Sequence, residues 1–229
     1  MQYSEWQEQL VETVQACRLK AQEEYKKRLN RIQTAQPVQN VSVKLTFNDY
    51  IKNFVVNSSS VYSGDYNMIE GFINEWKALV QSLQLEQQPV HVQQAIAIMT
   101  GDIERVVENI ASLSPNDEEF TRKVMKQLDV FISYVIVSIR DGWSTNPELY
   151  SKLLTITNDF LSQMGVHTIP LQLGEKINYE TTEPVVSTSN ITDDAEADET
   201  IKEIQLYPYV FGKEEIPFIF GKVIAWKKG

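Results

Sequence analysis

Hydrophobic residues recur every three or four positions through the first 164 residues, which is the spacing of one face of an α-helix. The first stripe runs from Trp6 to Ile32 and predicts one long helix over about residues 4–32. A single stripe on so long a helix needs a partner surface, and the sequence leaves two open: the chain's own bundle or a second copy of the chain. The mean spacing of the stripe exceeds that of a heptad repeat, which disfavours a strict left-handed coiled coil.

A bundle of further helices is predicted after a linker at residues 34–45. A short helix begins at Thr46, where Asp49 three positions later resembles a capping box with Asp in place of Glu. Because the connections between the helices that follow are short, these helices can close a core within one chain. We therefore expect a self-contained bundle, with any dimer held mainly by the first helix. The predicted ranges, each with one apolar face, are 66–83, 89–113, 114–140 and 147–164.

Turn-forming residues mark where several of these helices begin and end. Ser114 followed by Pro115 is typical of an N-cap and first turn, so the third of the four is expected to begin there. Asn146 followed by Pro147 is a second start signal of the same kind. Gly165 stands where the glycine that ends the last helix belongs.

The hydrophobic pattern becomes short and irregular after Gly165, which predicts strands instead of helices. Residues 187–199 contain a run of acidic residues and almost no large apolar side chain, so a mobile loop without an anchor is expected there. A turn is expected at residues 212–215. The extended segments are 166–173, interrupted by Pro170, then 201–206, 209–211 and 218–226.

Together the two patterns predict an α+β protein: a long N-terminal helix and a helical bundle, followed by a small C-terminal β domain. The predicted boundaries are 1–34 for the long helix, 35–164 for the bundle and 165–229 for the β domain. A length of 229 residues allows one domain or two, and a hydrophobic fraction of 42% is ordinary for a chain that buries a core.

Composition narrows the classes of partner. The net charge of −10 argues against a nucleic-acid partner, which favours a basic surface. A single cysteine, Cys17, fits a reducing compartment, and the polar start of the chain has no signal-peptide pattern. No apolar run reaches the length of a membrane span. We therefore expect a cytoplasmic protein that binds neither nucleic acid nor membrane. A local basic patch is formed by Lys26, Lys27, Arg28 and Arg31.

The pattern of chemically active side chains favours no catalytic site. His91 and His167 lie on different predicted elements, and one cysteine with two histidines does not make a zinc site. Asp193–Asp194 fits a solvated acidic loop better than a calcium loop, which needs alternating ligands and a fixed glycine. Glu175 and Glu183 could be a carboxylate pair, but surface positions are favoured. We expect no enzymatic activity, no cofactor and no metal.

The segments after Gly165 resemble the C-terminal domain of the GrpE family, the nucleotide exchange factors of DnaK-type chaperones. That family typically shows Gly-Glu-x-Phe-Asp-Pro-x-x-His-Glu-Ala-Val, and Gly174–Val185 keeps this spacing. Thr200–Ile204 is similar to the family's Thr-Ile-x-Glu-Val, and Lys222–Ala225 fits its closing strand. Ala21–Arg28 resembles the aromatic and basic stretch of the family's long helix. The identical residues of the first motif are Gly174, Glu175, Glu183 and Val185.

Several positions depart from the family pattern. Thr182 stands where the family has His, and Pro208 stands where it has Gly. Glu214 and Pro217 fall where Arg is usual. The helical middle is longer than the family's two short helices and lacks its Asp-Asn-Leu signature. The resemblance therefore covers residues 165–229 well and the first helix loosely.

The resemblance implies a co-chaperone that binds the ATPase domain of a DnaK-type chaperone through its β domain. Such a protein promotes nucleotide release by favouring the open cleft and needs no catalytic group. The alternative is a non-catalytic helical-bundle adaptor or assembly protein that keeps the β head but binds another protein. An aromatic pair beside the 212–215 turn is expected to be exposed. The expected partner-binding residues are Glu183, Val185, Tyr209, Phe211 and Glu214.

Overall fold

The computed structural model describes residues 46–52, 54, 61–185 and 190–229. Residues Leu45–Gly229 form one compact unit, and the fold given below is the fold of this unit. Its helical part precedes a part built of short strands, which confirms the predicted α+β class. The predicted long helix, and the dimer assigned to it, lie outside the described residues.

The helical part contains six α-helices, a single 3₁₀ turn and a single π turn within the described residues. The α-helices are α1 (Phe47–Lys52), α2 (Tyr66–Ser82), α3 (Val90–Ala111), α4 (Phe120–Phe131), α5 (Val137–Gly142) and α6 (Pro147–Gln163). The 3₁₀ turn spans Leu85–Gln87, and the π turn spans Ile132–Ile136 and joins α4 to α5.

Two of the predicted helix starts are confirmed by their caps. At α1, the main-chain N–H of Thr46 donates to Asp49 Oδ2 over 2.8 Å, and the Asp49 N–H donates to Thr46 Oγ1 over 3.3 Å. This reciprocal pair is a capping box. At α6, the Leu149 N–H donates to the side chain of Asn146 over 3.1 Å, with Pro147 in the first turn. Each cap satisfies a donor that the first helical turn leaves free.

The predicted start of the third long helix at Ser114 is wrong. Residues 114–119 form turns, in which the Asp117 N–H donates to Ser114 O and the Phe120 N–H donates to Asp117 O. The carboxylate of Asp117 accepts from the Glu119 N–H over 2.9 Å and also bonds Lys123 Nζ. Helix α4 therefore begins six residues after Ser114, and the Asp117 side chain caps the turns that precede α4.

The centre of the helical part is a group of stacked aromatic rings. The Phe72 and Phe160 ring centroids lie 4.0 Å apart with planes 15° from parallel, and Phe131 packs on both rings. Trp76 is fully buried, and its indole Nε1 donates to Thr100 Oγ1 over 3.0 Å. Burial of rings this large supplies much of the apolar area that stabilises the bundle.

Seven short strands follow α6 in the described part of the chain. Strand β1 pairs antiparallel with β5. A three-stranded sheet has the order β2-β6-β4, with β2 parallel and β4 antiparallel to the central β6. Strand β3 pairs parallel with β7. The strands are β1 (Val166–Thr168), β2 (Thr182–Pro184), β3 (Ile191–Thr192), β4 (Ile201–Leu206), β5 (Tyr209–Phe211), β6 (Gly221–Ala225) and β7 (Lys227–Lys228).

One hydrophobic core, from Phe47 to Ala225, includes buried side chains of both the helices and the strands. Gly165 ends α6 with a φ of +86°, as predicted, and β1 begins at the next residue. The hydroxyl of Thr168 donates to Phe54 O over 3.1 Å, and Arg140 bonds the carbonyl oxygen of Gln205 in β4. The strands are therefore fixed to the helical part by buried packing and by hydrogen bonds.

The acidic insert is anchored to the last strands over residues 190–199, so the expectation of an unanchored loop is wrong there. Asn190 is 4% exposed, and its side-chain amide donates to Ala225 O over 2.6 Å. The Asp198 carboxylate accepts from the Lys228 N–H over 2.9 Å, and the Glu199 N–H donates to Trp226 O over 2.9 Å. Polar groups, in place of apolar ones, hold this segment against the sheet.

Candidate partner-binding face

The three-stranded sheet has one buried face and one face open to solvent. Along β6, Val223 is fully buried while Lys222 is exposed and Ile224 is half-buried, as expected for alternate side chains of a strand. In the register, Glu183 of β2 lies opposite Lys222, and Glu203 of β4 lies opposite Ile224. We call the surface formed by Glu183, Lys222, Ile224 and Glu203 the outer sheet face.

Strand β2 is the edge of this sheet beside the outer sheet face. The Val185 N–H donates to Val223 O over 2.7 Å, so Val185 prolongs the parallel pairing and is half-buried. Pro184 is exposed and has no N–H, so this edge is a poor template for an added strand. A partner at this surface is therefore expected to contact side chains and not to extend the sheet.

The predicted exposure of Tyr209 and Phe211 is wrong: they are 1% and 4% exposed. All three residues of β5 are buried, because β1 covers one edge of this strand and the chain returns across it. The Phe218 N–H donates to Tyr209 O over 3.0 Å, and the Phe211 and Phe218 rings meet edge to face at 6.4 Å. Burial raises the pKa of Tyr209. A partner could reach this pair only by opening the core.

Glu214 is exposed on the loop between β5 and β6, as expected of a contact residue. Gly212 begins this loop with a φ of +65°, and its N–H donates to Gly165 O over 2.7 Å. Ile216, at the same loop, is 74% exposed. Ile216 was not among the expected contact residues, although an isolated apolar residue between two glutamates and a proline is a signal of exposure. Among the described residues, no hydrogen bond links Glu214 to β2.

The segments that carry the resemblance lie against each other. The Gly174 N–H donates to Ile201 O over 2.8 Å, and the Ile201 N–H donates to Glu175 O over 2.8 Å. The Ile177 N–H donates to Glu199 O over 3.1 Å. Gly174 has a φ of +84°, which only glycine adopts readily, and this explains the glycine at that turn. The Gly-Glu motif and the Thr-Ile motif thus form one hydrogen-bonded unit beside β6.

Within the described part of the chain, no group of three or more His, Cys, Asp or Glu side chains could hold a metal ion. His91 is exposed on α3, whereas His167 lies on β1, where its Nδ1 atom is buried without a hydrogen-bond partner. Burial lowers the pKa of His167. No helix among the described residues is long and apolar enough to cross a membrane.

Comparison with known proteins adds no information on the function of the chain. The chain gives no significant match to any protein-family model, to any curated protein or to any solved structure. The residues of the β region and the surfaces that they form are therefore the remaining indications of function.

Proposed function

We propose that the chain is a GrpE-like co-chaperone, which binds the ATPase domain of a DnaK-type chaperone through its β region and promotes nucleotide release. The observation that carries the proposal is the convergence of the three segments that resemble the family. Segment 174–185 is hydrogen-bonded to segment 200–204 at one end and pairs with β6 at the other. Motifs that were matched by order and spacing along the chain are thus neighbours in one sheet.

Two departures from the family pattern meet at a single buried position. A Cβ atom placed on Gly221 would lie 2.8 Å from Pro208 Cδ and 3.2 Å from Thr182 Oγ1. Thr182 is fully buried and Pro208 is also buried, so both departures change internal packing and leave the outer sheet face untouched.

Glu214 is the departure that a partner would meet, because it is exposed where the family has a basic residue. A reversed charge on a contact loop repels the family's usual partner surface and selects one with a matching positive charge. The proposal therefore specifies a specialised chaperone whose ATPase domain carries a basic side chain opposite Glu214.

Exchange of this kind is a binding effect, not a chemical step. A protein that binds the open form of a nucleotide cleft more tightly than the closed form shifts the population toward the open form. Such a shift requires a rigid binding surface. The continuous core and the Arg140 bond to Gln205 supply that stiffness by fixing β4 to α5.

The test uses the DnaK-type chaperone of the same genome, loaded with fluorescent ADP, and follows release with and without the chain. We expect faster release with the intact chain and a smaller acceleration with Glu183→Lys. The matched control is Glu108→Lys, which makes the same charge change at an exposed position of α3. Binding without faster release would replace exchange with an adaptor function, and absence of binding would overturn the proposal.

A further inference from the structure

A groove of about 300 Å³ runs between α2 and α6, away from the outer sheet face. Its α2 side follows one helical face over residues 67–75, and its α6 side follows one face over residues 156–163. The groove belongs to the helical part and does not involve any residue of the β region. It is lined by Asn67, Met68, Gly71, Phe72, Glu75, Ile156, Asp159, Phe160 and Gln163.

The groove has an apolar part within a lining that is otherwise polar. Phe72 and Phe160, stacked with centroids 4.0 Å apart, are both buried beneath it. Gly71 is exposed at its side, and a Cβ atom placed there would meet nothing within 4 Å. The missing side chain at Gly71 therefore leaves open space beside the groove lining. Met68 and Ile156 are half-buried and extend this apolar lining.

The rim of the groove is acidic. Glu75 and Asp159 line it from opposite helices, both are exposed, and no lysine or arginine is among the lining residues. Within the described part of the chain, neither carboxylate forms an ion pair. The lysines of the same two helices are engaged elsewhere: Lys77 pairs with Glu104 over 2.9 Å, and Lys152 pairs with Glu148 over 3.1 Å.

We propose that this groove binds a lysine or arginine side chain presented by a partner protein. These side chains carry a positive head on an apolar stem, and the stem stays on apolar surface while the head seeks polar contacts. The groove has the complementary order: the half-buried side chains of Met68 and Ile156 in its lining, and the carboxylates of Glu75 and Asp159 at its rim. An anionic ligand would meet two unpaired carboxylates, and an uncharged apolar ligand would leave them unused.

The probe is the peptide acetyl-Gly-Leu-Arg-Leu-Gly-amide, and its counterpart with Glu in place of Arg is the charge control. Binding to the full chain is followed by chemical shifts of the main-chain amides at low ionic strength. We expect the Arg peptide to shift amides of residues 67–75 and 156–163, and the Glu peptide to shift none of them. Raising the salt concentration should weaken binding, because the ion pairs are exposed.

Two variants test the rim and the open space separately. Glu75→Gln combined with Asp159→Asn removes both charges and should weaken the Arg peptide by roughly ten-fold, as the loss of two exposed ion pairs predicts. Gly71→Leu adds a side chain to the groove lining at a position where it meets no obstacle, so it should keep the fold and abolish binding. The charge-matched control is Glu108→Gln combined with Glu180→Gln, both outside the groove.

The proposal is overturned if the control double variant weakens binding as much as the groove double variant, because net charge alone would then explain it. It is also overturned if Gly71→Leu binds as the unaltered chain does, or if neither peptide shifts the groove amides. These outcomes do not depend on nucleotide release, so they leave the proposed exchange function untouched.

Discussion

The side-chain amide of Asn190 donates a 2.6 Å hydrogen bond to the main-chain carbonyl oxygen of Ala225, thirty-five positions later in the chain. The Lys227 N–H returns a bond of 2.7 Å to Asn190 O, so Asn190 is held to the end of the chain from two sides. This buried residue joins the acidic insert to β6 and β7. An uncharged amide thereby contributes a buried anchor to a segment rich in carboxylates.

Replacement of Asn190 by Ala should destabilise the fold by about 1–3 kcal/mol, because it removes a buried hydrogen bond and leaves its acceptor without that donor. Urea denaturation would measure the loss. The control is Asp193→Ala, which removes a group of similar size at an exposed position of the same insert and should change stability by no more than about 0.5 kcal/mol. Equal, small effects of the two changes would mean that Asn190 does not anchor the insert.

Gly142 ends α5 against the ring of a buried tyrosine. A Cβ atom placed on Gly142 would lie 2.1 Å from Tyr150 Cζ, a separation that no relaxed structure tolerates. Gly142→Ala should therefore cost about 1–3 kcal/mol through overpacking. In α3, a Cβ placed on Gly101 meets nothing within 4 Å, and Gly101→Ala should stabilise the protein by up to about 1 kcal/mol. Thermal unfolding of both variants should shift Tm in opposite directions.

Tyr207 makes stability depend on alkaline pH. Its burial, with a smaller effect of the Asp49 carboxylate, raises its pKa to about 12. An unfolded tyrosine ionises near pH 10, so the unfolded chain loses this proton first. The stability linked to Tyr207 is therefore fully present below pH 10 and falls as the pH rises from 10 through about 12.

Tyr207→Phe should reduce that alkaline loss without lowering stability at pH 7, because the Tyr207 hydroxyl is buried and has no hydrogen-bond partner among the described residues. Burial also raises the pKa of Tyr209, so part of the alkaline loss should remain. Denaturation between pH 7 and pH 11 measures the slope. Tyr66→Phe, at an exposed position, serves as the control and should keep the slope of the unaltered chain.

The helical periodicity allowed much of the fold to be predicted. The helix expected at 66–83 is found as α2 at Tyr66–Ser82, because its single apolar stripe defines it locally. Ser114 was misjudged for a local reason: a serine before a proline is compatible with a turn as well as with a helix start. The carboxylate of Asp117, which settles the choice, acts through residues further along the chain.

The candidate site was harder to predict, because exposure of a short strand depends on what covers it. Tyr209 and Phe211 stand at alternate positions, as do the residues on one face of a strand. That face is covered by β1 and by Phe218, which are separated from the strand in the sequence. Glu183 and Glu214 were correctly expected at the surface, since charged side chains are rarely buried without a partner. The groove between α2 and α6 left no sequence signal, because it requires two helices to lie side by side.

Deletion of residues 1–33 should leave a folded, helical and monomeric protein by light scattering and circular dichroism. The reason is that Leu45–Gly229 forms a compact unit, and the core of its described part begins at Phe47. The same deletion tests the dimer that the sequence assigns to the first helix. Unfolding of the truncated chain would contradict the self-contained core. Dimers that persist in the truncated chain would contradict the assignment of the dimer to the first helix.

The π turn at Ile132–Ile136 gives the main chain one residue more than an α-helical path needs over the same rise. Each residue of an α-helix turns the chain by about 100°, so the surplus residue sets the angular phase of everything that follows. In that phase, Arg140 bonds the carbonyl oxygen of Gln205. The number of residues in the π turn therefore matters more than their identity. Tyr134 is exposed within the turn, so its replacement should be tolerated. Deletion of Tyr134 should instead rotate Arg140 away from β4.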